Sequence, residues 1–72
     1  MYLPDPKKQV VYLRDARAFP VSRQTMEFRE AVETGIAQHQ PGESPVIISA
    51  GIQIIGIEAI RAARNVIENN TA

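Results

Sequence analysis

No cysteine occurs anywhere in this chain, and in 72 residues that absence limits the fold more than any motif does. A domain this short gains about 25 cal/mol per Å² of buried apolar surface and loses about 1.5 kcal/mol of conformational entropy per ordered residue, which comes out near balance. Without cysteine there is no disulfide and no thiolate metal site to add stability. Association with a second copy or with a partner is the aid that remains, so an oligomer is expected. A hydrophobic content of 44% with 22% charged residues fits a globular domain and not a disordered chain. One small domain over residues 1–72 is expected, with residues 1–8 as an extended or flexible lead-in around Pro4 and Pro6.

The first residues carry two prolines and an aspartate where a secretory signal has a basic start and an apolar run, so a cytoplasmic location is expected. The most apolar stretch, residues 46–57, is interrupted by Ser49, Gly51, Gln53 and Gly56 and is too short to cross ~30 Å of hydrocarbon. No membrane partner is expected. The formal net charge is zero, but the charge is divided. Lys7, Lys8, Arg14, Arg17 and Arg23 outnumber Asp5 and Asp15 in the first third, while six glutamates outnumber Arg29, Arg61 and Arg64 in the remainder. Such a basic front end is able to meet phosphates, although the chain as a whole lacks a strong positive field.

Val10, Val11, Tyr12 and Leu13 form a short run of β-formers and predict a first strand. After Pro20, Ser22 stands where an N-cap belongs, and the proline-free stretch behind it predicts a helix over residues 23–38. Phe28, Val32 and Ile36 draw an apolar stripe along it, and Arg23 with Glu27 and Arg29 with Glu33 are spaced for contacts one turn apart. Gly35 is a poor helix residue, which suggests the close approach of another backbone. Pro41 and Gly42 end this helix.

Eight of the nine isoleucines then fall between residues 47 and 67. Val46, Ile47 and Ile48 predict a buried strand, although Ser44 and Pro45 also read as the start of one long helix to residue 68, and the alternation through Ile52 and Ile54 also allows the strand to reach Ile55. Ile57, Ile60, Ala63 and Ile67 predict a last helix ending near Asn69. The fold class is therefore α/β, a small two-layer sandwich in the order strand-helix-strand-helix. Two strands make a poor sheet, so its completion by oligomerisation is expected. Val10, Tyr12, Ile52, Ile54 and Ile55 are the candidate interface.

Little in the chain supports catalysis. His39 is the single histidine and has no cysteine to work with. Gly51 and Gly56 frame a glycine spacing like that of a phosphate loop, but Ile57 and Glu58 stand where that loop needs lysine and serine or threonine. Glu27, Glu30 and Glu33 are spaced to solvate a helix face. No catalytic residue, metal site or cofactor is expected. Binding is better served: Lys7, Lys8, Arg14 and Arg17 surround the first strand with Tyr2, Tyr12 and Phe19 among them, a mixture suited to holding phosphates and stacking bases.

The stretch SPVIISAGIQIIGIEAIRAAR, residues 44–64, resembles the second strand and second helix of Alba-like proteins, most nearly the stage V sporulation protein S group. A short strand runs into Ala50 and Gly51, and Gly56 to Arg64 match an alanine-rich helix with arginine near its end. The resemblance implies a compact α/β domain that dimerises and binds DNA or RNA through a basic loop after its second strand. Here that loop, Ser49 to Gln53, holds no lysine or arginine, so the family's phosphate contacts do not transfer to it. The expected function is a small non-enzymatic regulatory or interaction module that self-associates and leans toward nucleic acid. The alternative is a protein-binding adaptor that uses an exposed isoleucine-rich patch.

Overall fold

The backbone N–H and C=O groups of a buried strand need a partner strand on each side, and the chain supplies those strands itself. The computed structural model, which describes residues 3–70, has strands β1 (Gln9–Leu13) and β2 (Arg23–Glu27), helix α1 (Phe28–Gln38), strands β3 (Val46–Ser49) and β4 (Ile52–Ile55), and helix α2 (Ile57–Asn70). They form one antiparallel sheet in the order β2-β1-β3-β4. The two expected strands are its central pair. The two strands that the sequence pattern did not separate, β2 and β4, are its edges, so four strands are reached without a second chain.

The expected order is thereby corrected, and the readings left open for residues 44–68 are decided. The order is strand-strand-helix twice over, because residues 23–27 pair with β1 and α1 begins only at Phe28. A helix from Arg23 would have left the outer edge of β1 bare. The long helix from Ser44 does not form, since Val46–Ser49 and Ile52–Ile55 turn back on each other through Ala50 and Gly51. Gly51 has φ +74, a left-handed turn that a β-carbon would strain. The lead-in is bound along its described part: Lys8 N–H donates to Asp5 O at 2.9 Å, and the Phe28 and Arg29 N–H groups donate to the carbonyls of Lys8 and Pro6. Those two carbonyls satisfy the start of a helix that has no side-chain cap.

Alternation decides which side chains meet the helices. Val10, Tyr12, Ile47 and Ile54 face α1 and α2 and form the core with Phe28, Ala31, Val32, Ile60, Ala63 and Ile67. Above Gly35 lie the side chains of Tyr12 and Ile60, at 3.4 and 3.5 Å from where a β-carbon would stand, and not another backbone. The spacing read as ion pairs along one helix resolves differently. Arg23 and Glu27 lie four steps apart on a strand, ~13 Å, and Glu33 pairs across to Arg64 of α2 at 3.5 Å.

The two halves are related by an approximate two-fold through the pair Val11 and Ile48. The Val10–Met26 pair of the first half corresponds to the Ile47–Ile54 pair of the second. The bond from Phe28 N–H to Lys8 O, 2.8 Å, corresponds to the bond from Gly56 N–H to Pro45 O, 2.8 Å. What breaks the symmetry is the connection inside each hairpin: residues 14–22 in the first half, Ala50 and Gly51 in the second.

Candidate interaction surfaces

The four basic residues singled out in the sequence do not gather into one patch. Lys7 and Lys8 precede β1 and Arg14 and Arg17 follow it, which separates the two pairs by ~20 Å of strand. Arg14 Nε lies 3.3 Å from Glu43 Oε1, and Arg17 Nη2 donates to Gly42 O at 2.6 Å. Asp15 completes this clamp by accepting from the N–H groups of Arg17 and Ser44, at 3.1 and 3.2 Å, while Ala16 N–H donates to Ser44 O at 2.8 Å. The bond from Arg17, then that from Ser44, hold the Asp15 carboxyl below its ordinary pKa. These residues tie the long β1–β2 loop to the α1–β3 connection. Lys7 lines a depression of about 240 Å³ together with Asp5, Glu27 and Arg29, two carboxylates and a second cation.

The aromatic residues also part company. Tyr12 is 1% exposed, so its ring is not offered to a base, and burial raises its pKa against the opposing pull of Arg14. Phe19 is 99% exposed at the tip of the clamped loop. Tyr2 lies outside the described residues. His39 closes α1, half-buried, and its Nδ1 and the Tyr12 hydroxyl are buried without a hydrogen-bond partner. Among the described residues no three acidic or histidine side chains are grouped to hold a metal ion. No helix among them is long and apolar enough to cross a membrane.

Of the five interface candidates, Val10, Tyr12 and Ile54 are buried in the chain's own core, because they point toward the helices. A second copy does not reach them. Ile52 is half-buried, and Ile55 is 61% exposed on the opposite side of the sheet. Cross-strand partners share a face, so Ile55 stands in a row with Val46, Leu13 and Arg23, beside the row Gln53, Ile48, Val11 and Thr25. This helix-free face thus has an apolar centre and a polar margin, but Leu13 and Val46 at that centre, 8% and 7% exposed, are already covered within the chain. The alternation of Val11 and Leu13 with Val10 and Tyr12 carries that division in the sequence, but only strand pairing shows which set the helices cover.

A second surface runs along the outer edge, where β4 carries no charged residue. Gly56 N–H bonds to Pro45 O, and ladder bonds alternate along an antiparallel pair, so Ile52 and Ile54 bond toward β3 while Gln53 and Ile55 turn their N–H and C=O groups outward. Above this edge, α2 turns Arg64 toward Glu33 of α1. Its opposite flank therefore carries Ala59, which packs partly against the core, Ala62 and Val66, 36% exposed, with Glu58, paired to Arg61, one turn before Ala62. At the other end of the sheet the equivalent positions are polar: Arg23, Thr25 and Glu27 turn outward on β2, and Thr34 and Gln38 take the places of Ala62 and Val66.

No protein-family model, curated protein or solved structure matches the chain. The residues that carry the Alba-like resemblance span β3, β4 and the first turns of α2, a hairpin followed by a helix.

Proposed function

We propose that this chain is a small non-enzymatic interaction module that associates with itself through apolar contact, in the manner of an adaptor and not of a nucleic-acid binder. The observation that carries this reading is the division of the surface. Arg14 and Arg17 are engaged in holding a loop, and Lys7 shares its depression with as many carboxylates, Asp5 and Glu27, as cations. The end of the molecule formed by β4 and α2 presents Ile55, Val66 and a strand, β4, without a charged residue. Phosphate binding depends on several cations acting together, whereas an uncharged apolar surface favours a partner of the same kind.

Sedimentation equilibrium at low and at moderate salt, with and without a short mixed pool of DNA and RNA, tests the reading. The expected result is a mass above that of the monomer that changes little with salt and not at all with nucleic acid. A mass that grows with nucleic acid at low salt and falls back at moderate salt would overturn it. That outcome would return the lead to Lys7, Lys8, Arg14 and Arg17 and to the Alba-like resemblance.

A further inference from the structure

We infer that the second copy docks edge to edge: β4 pairs antiparallel with β4 of the partner about a two-fold axis beside Ile54, and the α2 flanks that carry Ala62 and Val66 meet above the joined sheet. This rests on the self-association reading and gives it a geometry. Two features converge on it, the edge of β4 and the flank of α2. The outward N–H and C=O groups of Gln53 and Ile55 form an unguarded edge, with no charge, proline or bulge in β4 to block pairing. Pairing Gln53 with the partner's Ile55, and the reverse, engages these outward groups on both copies and keeps every side chain on its own face. Ala59 and Ala62 are small enough to let a second helix approach closely beside Val66.

The occupant follows from what must be covered. A lone extended peptide would extend the sheet and leave the α2 flank bare. A partner that covers both surfaces needs a free strand with an apolar helix flank lying over it, and this chain is such a partner. The approximate symmetry within the chain supplies the contrast: the corresponding surface on β2 and α1 carries Arg23, Glu27, Thr34 and Gln38, and charged edge residues are a common guard against pairing. An isologous contact repeats one patch on both subunits, which suits the end whose edge strand carries no charge.

The test compares Ala62→Glu and Gln53→Pro with Thr34→Glu, which places the same carboxylate at the equivalent position on α1. Gln53→Pro removes an outward N–H that β3 does not use, and Ala62→Glu keeps a helix former, so circular dichroism should show all three folded. Sedimentation equilibrium over a dilution series is expected to show association weakened roughly 10-fold or more by Ala62→Glu and by Gln53→Pro, and unchanged by Thr34→Glu. A wild-type dimer that all three variants leave intact overturns this geometry while self-association stands. Dissociation by Ala62→Glu without Gln53→Pro overturns the strand pairing. A wild-type chain that stays monomeric at every concentration overturns both readings.

Discussion

Asp15 illustrates how a residue takes its role from a partner far away in sequence. Its carboxylate accepts two backbone N–H groups, from its neighbour Arg17 and from Ser44 across the fold, and both depress its pKa. A depressed folded pKa means that the charged form is favoured by folding. Its stabilising effect is present above the ordinary carboxyl pKa and is lost as pH falls through the depressed value. Asp15→Asn should therefore flatten the acid limb: thermal melts from pH 6 down to about pH 3 are expected to show a smaller loss of Tm than the wild type. Equal slopes would mean that the clamp contributes nothing through charge. The basic residues beside it were legible as a cluster in the sequence, but nothing there showed that Arg14 and Arg17 would be held on the surface by Glu43 and Gly42.

Among the elements, the helices were easier to read than the edge strands. Ile57, Ile60, Ala63 and Ile67 mark α2 by spacing alone, and three of them are buried. Residues 23–27 carry no comparable signal: Arg23, Gln24, Thr25 and Glu27 are exposed on an edge, and a polar stretch leading into Phe28 and Val32 reads as the first turns of the same helix. Ladder bonds to β1 outweigh that local preference. Gly35 tests how α1 is packed. A β-carbon there would lie at ordinary contact distance from Tyr12 and Ile60, and Ala63 holds the equivalent place in α2. Gly35→Ala is expected to raise stability by up to about 1 kcal/mol through helix propensity, measured by urea unfolding. Gly35→Leu should lower it, because a larger side chain must displace the Tyr12 ring.

Over the whole molecule the approximate two-fold sets the order of stability. β1 and β3 are paired on both sides, while β2 and β4 each have one free edge. Amide hydrogen exchange should accordingly be slow at Tyr12 and Ile47 and fast at the outward N–H groups of Thr25 and Glu27. If β4 meets its counterpart, Gln53 and Ile55 are protected in concentrated protein and become fast on dilution, with Thr25 and Glu27 fast throughout. Exchange at Gln53 and Ile55 that ignores concentration would place the contact between copies elsewhere. The composition alone determined that this cysteine-free chain would rely on one small apolar core, and periodicity located its central strands and its last helix, because spacing of apolar residues is a local property. Which strands stand at the edges, which isoleucines are spent inside and which basic residues hold a loop were decided only by the tertiary fold, because strand pairing is set between segments far apart in the chain and a one-residue change of register exchanges the buried face for the bare one.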